Sequence, residues 1–148
     1  MNPRILIVDD DPDIRTILAL RLARAGFEVA TAADGSEGLA ALQHVKPSGV
    51  VLDLLMPKLD GFDFLATLQR GQPSPPPVFV VTQADDAAVR ERVHRLGAER
   101  LISKGDALGR EFAESLARRL SIGNLHPLPT RAAALRLGLF TPEPTIGC

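Results

Sequence analysis

The sequence predicts a doubly wound α/β fold built on a five-stranded parallel sheet. Three short apolar runs rich in β-branched residues are typical of strands buried on both faces of such a sheet: 5–8, 50–52 and 78–81. Two weaker runs, 27–31 and 100–103, are also candidate strands. Helical patterns lie between these runs, and strands that alternate with helices imply crossover connections and a parallel sheet.

The first helical pattern has a start signal, an apolar stripe and a stop signal. Asp11 is placed to cap the helix, Pro12 suits its first position, and Gly26 suits its end. The stripe consists of apolar residues at helical spacing: Ile14, Ile17, Leu18 and Leu22. A helix over this segment would connect the first two strands.

Two further helices are predicted in the second half of the chain. One begins at Asp85 or Asp86 and is closed by Gly97. The other is the last helix of the domain, indicated by apolar residues at i+4 spacing: Leu108, Phe112, Leu116 and Leu120. Residues 71–77 contain four prolines and predict an extended connection before the fourth strand.

Length and charge restrict the classes of function. The 148 residues fit one ordinary domain, and a net charge of -1 gives no electrostatic reason to bind nucleic acid or an anionic membrane. The single cysteine, Cys148, can close no internal disulfide, which fits a reducing cytosol. We find no apolar stretch long enough for a signal peptide or a membrane span, so we expect a cytoplasmic protein.

The composition changes near residue 122. We expect a domain over residues 1–121 and a proline-containing C-terminal tail over 122–148. The tail could form a short helix at 130–137, and it contains no recognisable output domain.

The residues just after each predicted strand are chemically distinctive. Asp9 and Asp10 follow the first strand, Asp53 ends the third, Thr82 ends the fourth, and Lys104 follows the fifth. Because the carboxyl ends of parallel strands form the ligand-binding edge of an open sheet, these side chains should gather there.

Three carboxylates at one edge repel each other unless a cation neutralises them. Two unit charges about 4 Å apart cost roughly 4 kcal/mol at an effective dielectric constant near 20. All-oxygen ligands favour Mg²⁺, which accepts phosphate oxygens as its remaining ligands. Taken singly, an Asp before a helix is usually a cap, a strand-end Thr is usually structural, and a Lys is usually solvated. Their combination is what phosphoryl transfer needs: an oxygen nucleophile, a metal, a cation and a hydroxyl donor.

With these motifs the sequence resembles a receiver domain of the two-component response regulators, over about residues 4–120. The matching segments are 5–11 (ILIVDDD), 51–61 (VLDLLMPKLDG), 81–82 (VT) and 103–104 (SK). In the second segment an Asp is followed four residues later by Pro and seven later by Asp-Gly, which is a specific pattern. The resemblance implies the flavodoxin-like receiver fold.

The resemblance also implies a role for each residue of the edge. Asp53 would be the nucleophile that attacks the phosphorus of a phosphohistidine. Asp10 and Asp53 would hold Mg²⁺ together with the backbone carbonyl of Leu55, and Asp9 would assist through a water. Lys104 would pair with the phosphoryl group.

The implied switch and partners complete this expectation. Thr82 would swing inward to hydrogen-bond the phosphoryl group and so change the conformation. The donor would be a sensor histidine kinase or a histidine phosphotransfer protein, and the output would pass to an unknown downstream protein target. Such a domain catalyses only its own phosphorylation and dephosphorylation and is not otherwise an enzyme.

The chain departs from the family pattern at several positions. Gly105 replaces the proline that usually follows the Lys, so the expected peptide after Lys104 is trans. Leu101 stands where the family often has an aromatic residue that reports phosphorylation. In the family, the residues two after the phosphorylated Asp and two after the Thr flank the path of the hydrolytic water. Here they are Leu55 and Ala84, which cannot orient a water, so the resemblance implies slow loss of the phosphoryl group.

Three other interpretations are open at this point. A phosphatase of the haloacid dehalogenase kind would use Asp9 as its nucleophile, but the chain has little room for a substrate cap and no clear acidic pair after the Lys. A dinucleotide-binding enzyme is disfavoured because no Gly-x-Gly-x-x-Gly follows the first strand. The last alternative is a receiver that binds partners without phosphorylation.

Overall fold

A computed structural model describes residues 3–56, 60–83 and 86–120 of the chain. The elements follow in the order β1 (Arg4–Val8), α1 (Pro12–Arg24), β2 (Glu28–Ala32), α2 (Gly35–Val45), β3 (Gly49–Asp53), α3 (Gly61–Gly71), β4 (Val78–Thr82), α4 (Ala87–Arg95), β5 (Arg100–Ser103), α5 (Lys104–Ala107) and α6 (Arg110–Arg119). All four strand pairings are parallel, and the spatial order is β2-β1-β3-β4-β5. The predicted doubly wound α/β fold is confirmed.

The sheet is covered on both faces, which is why its central strands β1, β3 and β4 are apolar except at their ends. Alternate residues of β1 point to opposite faces: Ile5 and Ile7 join one core cluster, whereas Leu6 and Val8 join the other. The first cluster includes buried residues of α1 and α6. The second includes buried residues of α3, and partly buried residues of α2 pack against it. β1, β3 and β4 are therefore fixed from both sides.

The boundaries of α1 agree with the sequence signals. Its N-cap is Asp11, whose carboxylate accepts the N–H groups of Asp13 and Ile14, and Pro12 stands at the first position. Gly26 follows the helix with φ 105°, a conformation that glycine adopts without strain. Asp86, one of the two expected caps of α4, accepts the N–H of Val89 at 2.9 Å.

The structure differs from the sequence prediction after β5. One last helix was expected, but the chain forms the short α5, turns at Leu108 and Gly109, and then forms α6. The apolar stripe continues across this break because Leu108, Phe112 and Leu116 all pack in the first core cluster. The i+4 spacing therefore correctly indicates that α5 and α6 share a buried face, but it does not indicate the turn between them.

Two helices of the structure, α2 and α3, have no clear start signal in the sequence. α2 and α3 both begin with glycine, after the caps Asp34 and Asp60, and a glycine at a helix start is easily taken for a loop. The second candidate strand was expected one residue early, at 27–31, and lies at Glu28–Ala32. The predicted tail helix at 130–137 lies outside the described residues. None of the described helices is long and apolar enough to span a bilayer.

Candidate functional site

The carboxyl edge of the sheet brings together all the strand-end residues singled out from the sequence. Asp53 is the last residue of β3 and lies in register with Val81, the residue before Thr82 on β4. Asp9 follows β1 directly, and Lys104 follows β5 directly. Neighbouring parallel strands in register thus place acid, hydroxyl and cation on one edge.

Asp9, Asp10 and Asp53 form an acidic cluster. Each offers one carboxylate oxygen, and these oxygens lie within 4.8 Å of one another. Asp9 is 2% exposed and Asp53 is 3% exposed, whereas Asp10 is open to solvent. Three carboxylates with an open side are a hard-oxygen donor set, which fits a divalent cation that keeps water or phosphate oxygens as further ligands. The cluster is typical of a divalent-metal site in receiver domains.

Lys104 bridges the two buried acids. Its Nζ lies 3.5 Å from an oxygen of Asp9 and 3.5 Å from an oxygen of Asp53, and its side chain is 15% exposed. Burial alone would lower the pKa of Lys104, but attraction to Asp53 and Asp9 outweighs it, so the net shift is upward. The lysine is therefore a permanent cation at the site.

The buried carboxyls resist ionisation. Burial, reinforced by the charge of Asp9, raises the pKa of Asp53 to about 6 from 3.8, although Lys104 and the Leu55 N–H act in the opposite direction. Burial also raises the pKa of Asp9, against the Asp11 N–H and Lys104. One lysine does not compensate three carboxylates, and a bound dication would complete the neutralisation.

The loop after β3 is packed too tightly for a side chain at Gly61. A Cβ atom there would lie 2.4 Å from Leu54 Cα and 2.6 Å from the Asp53 carbonyl oxygen. Instead the Gly61 N–H donates to the Leu54 carbonyl at 2.8 Å. The Leu55 N–H in turn donates to the Asp53 carboxylate at 3.3 Å. The close approach at Gly61 explains why the motif requires glycine after Asp60. The sequence alone did not show this reason.

The loop after β1 is held by hydrogen bonds. The Asp9 N–H donates to the Ala32 carbonyl at 3.1 Å, and the Asp9 carboxylate accepts the Asp11 N–H at 2.9 Å. The Asp9 carbonyl accepts a guanidinium N–H of Arg15 at 2.7 Å. Sequence reasoning missed Arg15, and its position one turn into an ordinary amphipathic helix gave no signal.

The two residues expected to act as the switch lie on β4 and β5. Thr82 is fully buried and pairs in register with Ser103. Leu101 is partly buried and packs against the second core cluster. Leu55 is 60% exposed beside the acidic cluster, and Ala84 lies outside the described residues.

The segment that begins at Lys104 is helical and is not a loop. α5 begins at Lys104 itself, and the Ser103 hydroxyl caps it by accepting the Asp106 N–H at 3.2 Å. The described peptide bonds are all trans, including the one before Gly105. Replacing proline by glycine thus coincides with a helical turn that starts at the strand end.

The sequence profile of the response regulator receiver domain matches residues 5–110, well over half of the chain. The chain belongs to this family. It is therefore a phosphoacceptor domain of two-component signalling, a signalling module and not an enzyme with a separate substrate. Domains of this family partner with histidine kinases.

Named relatives and solved structures agree with this assignment. The chain is 39% identical over 139 residues to the "Probable transcriptional regulator ycf27" of Cyanophora paradoxa, a match that covers 93% of this chain and 57% of the relative. It is 38% identical over 104 residues to the "Alkaline phosphatase synthesis transcriptional regulatory protein PhoP" of Bacillus subtilis, covering 70% of this chain and 43% of that protein. The chain thus spans about half the length of these curated relatives.

The fold is shared with solved receiver domains. The chemotaxis protein CheY4 of Vibrio cholerae superposes with a TM-score of 0.73 at 28% identity, over 82% of this chain and 100% of that one. A CheY-like receiver domain protein of Methanospirillum hungatei superposes with a TM-score of 0.74 at 27% identity, over 80% of this chain and 94% of that one. These likenesses confirm the predicted receiver fold.

Proposed function

We propose that Asp53 is the phosphorylated residue and that the reaction requires Mg²⁺. The observation that supports this most strongly is the bridging position of Lys104, 3.5 Å from both buried carboxylates, at an edge where three acids converge. An Asp53 oxygen attacks the phosphorus of a phosphohistidine, the P–N bond breaks, and the histidine nitrogen leaves with its electron pair. The acyl phosphate remains on Asp53.

The other residues bind and orient the phosphoryl group. Asp10 and Asp53 would hold the metal with the Leu55 carbonyl, and Asp9 would assist through a water. When bound, Mg²⁺ would neutralise charge on the phosphoryl oxygens. As the phosphoryl group arrives, Lys104 gives up part of its interaction with Asp53 and pairs with the phosphoryl oxygens. The positive charge of Lys104 therefore stays compensated.

The signal leaves the site through Thr82 and Leu101. Thr82 moves inward to donate its hydroxyl hydrogen to a phosphoryl oxygen, and Leu101 on the neighbouring strand repacks in the space that this movement changes. Leucine can fill space but has no hydroxyl to exchange partners, so the response is one of packing alone. The altered β4–β5 surface is then recognised by a downstream protein.

A labelling experiment with variants tests this assignment. Purified protein is treated with acetyl phosphate and Mg²⁺, and the phosphorylated fraction is separated on phosphate-affinity gels. We expect label on the parent and on the control Asp63→Asn, whose exposed carboxylate lies in the first turn of α3. We expect none on Asp53→Asn, and none on the parent in chelator. Full labelling of Asp53→Asn would contradict the proposal, and label confined to Asp9 would favour the phosphatase interpretation.

A further inference from the structure

Arg15 contacts the backbone of the acidic cluster. Its guanidinium donates to the Asp9 carbonyl oxygen at 2.7 Å, across six residues of sequence and one turn into α1. That oxygen belongs to the peptide group that joins Asp9 to Asp10. The orientation of this peptide plane therefore depends in part on a side chain outside the cluster.

Asp10 is the member of the cluster that most needs such orientation. It is exposed, whereas Asp9 is buried and held by hydrogen bonds at its N–H and its carboxylate. Within the described ranges no side-chain hydrogen bond fixes the Asp10 carboxylate. The backbone then sets the direction of the Cα–Cβ bond from which that carboxylate projects, and the Asp9–Asp10 peptide is the nearest part of that backbone.

We propose that Arg15 is a positioning residue for the metal site, because it fixes the Asp9–Asp10 peptide so that Asp10 presents its carboxylate to the cation. This role rests on the proposed function of the site. Groups that hydrogen-bond metal ligands typically contribute about 10- to 100-fold to metal affinity. A contact to the backbone that carries the ligands should lie at the lower end of this range. The Arg15 guanidinium is a charged donor to a partly buried carbonyl, and such charge-assisted hydrogen bonds are among the stronger ones.

The positive charge of Arg15, taken alone, predicts the opposite effect on metal affinity. A guanidinium beside the cluster repels an incoming dication, so removing it would strengthen metal binding if Arg15 acted only as a nearby charge. Removing the hydrogen bond would weaken metal binding if Arg15 positions Asp10. The sign of the change in affinity therefore separates the two roles.

The test compares Arg15→Met, Arg15→Lys and Arg24→Met. Methionine keeps much of the side-chain length and removes the donor and the charge, and lysine retains both. Arg24 is an exposed arginine in the last turn of the same helix, so its variant controls for losing an arginine from α1. Mn²⁺ binding is measured by electron paramagnetic resonance of the free ion, without any phosphoryl donor.

We expect Arg15→Met to weaken Mn²⁺ binding about tenfold, Arg15→Lys to stay within about threefold of the parent, and Arg24→Met to match it. Acetyl phosphate labelling should need about tenfold more Mg²⁺ for half-saturation in Arg15→Met, with an unchanged rate at saturating Mg²⁺. A merely structural role would lower the saturated rate or the folded fraction. If Arg15→Met does not fold by circular dichroism, Arg15→Gln takes its place with the same expectation.

Unchanged or tighter Mn²⁺ binding by Arg15→Met would overturn the positioning role, and so would failure of lysine to restore binding. A different result would contradict the proposed function. Label at a residue other than Asp53 would contradict the nucleophile, whereas the Mn²⁺ comparison would still decide the role of Arg15.

Discussion

The loops after β1 and β3 both deliver a buried carboxylate, but hydrogen bonds hold the first and close packing holds the second. Asp9 is held through its N–H, its carboxylate and its carbonyl. Apart from Lys104, which both carboxylates share, the Asp53 carboxylate accepts one long hydrogen bond, and the backbone behind it is pressed against Gly61. A single substitution removes only one of several hydrogen bonds, whereas a single added side chain at a close packing contact forces the backbone to move. The two loops should therefore respond very differently to single substitutions.

The largest effect is expected for Gly61→Ala. Its Cβ would meet backbone atoms that cannot move without shifting β3 or α3, so we expect a loss of about 2–3 kcal/mol in the free energy of unfolding. Mn²⁺ binding should weaken as well, because the Asp53–Leu54 backbone moves. Urea unfolding followed by circular dichroism measures the stability.

Gly105→Ala is the matched control. A Cβ at Gly105 in α5 would meet nothing within 4 Å, so the substitution should be neutral or stabilise by up to about 1 kcal/mol. Equal stability of the two alanine variants would show that the Gly61 contact is not tight in solution.

The contrast between the loops also marks the limit of what the sequence could predict. The apolar runs of β1, β3 and β4 predicted the sheet, and the rule that ligands bind at carboxyl strand ends then placed Asp9, Asp53 and Lys104 together. Gly61 and Arg15 could not be assigned in this way. Their roles come from contacts between segments that meet only after folding. The distances between such segments cannot be read from a single sequence.

The second expected effect is a gain of stability in metal-free Asp53→Asn. The pKa of Asp53 is raised to about 6 in the folded chain, so its stabilising contribution is fully present below about pH 4 and is lost as the pH rises through 6. A neutral amide avoids that loss, and at pH 7.5 it should stabilise by about 1–3 kcal/mol.

The measurement is urea unfolding in chelator at pH 4 and at pH 7.5. The difference between Asp53→Asn and the parent should appear at the higher pH and shrink at the lower. Asp63→Asn, which removes an exposed carboxylate outside the cluster, is the control for the loss of an aspartate. A variant that is less stable than the parent at pH 7.5 would contradict the charge account of the cluster.

A smaller effect is expected on the lifetime of the phosphorylated form. Leu55 is 60% exposed at the site and cannot orient a hydrolytic water, and we expect the same of Ala84, which lies outside the described residues. The double variant Leu55→Asn, Ala84→Glu should lose its phosphoryl group at least about tenfold faster than the parent at matched Mg²⁺. Phosphate-affinity gels follow the decay, and the absence of Trp and Tyr excludes intrinsic fluorescence. Decay at the parental rate would show that these two positions do not control the water.

The smallest effect is expected from the helix caps that follow the two loops. Asp11→Ala removes an acceptor for two N–H groups of α1, and Asp60→Ala removes the acceptor for the Asp63 N–H of α3. Each should destabilise by about 1 kcal/mol. Thermal unfolding by circular dichroism compares them, and a loss comparable to that of Gly61→Ala would mean that the caps, and not the glycine contact, hold the loops.

Mapping the phosphorylated residue tests the central claim most directly. Trypsin separates the two candidate nucleophiles, because cleavage after Arg4 and Arg15 releases Asp9, whereas cleavage after Arg24 and Lys58 releases Asp53. After treatment with acetyl phosphate and Mg²⁺, followed by borohydride reduction of the acyl phosphate, fragmentation mass spectrometry locates the modified aspartate. The account predicts modification at Asp53 alone. Modification at Asp9, with Asp53 intact, would contradict it.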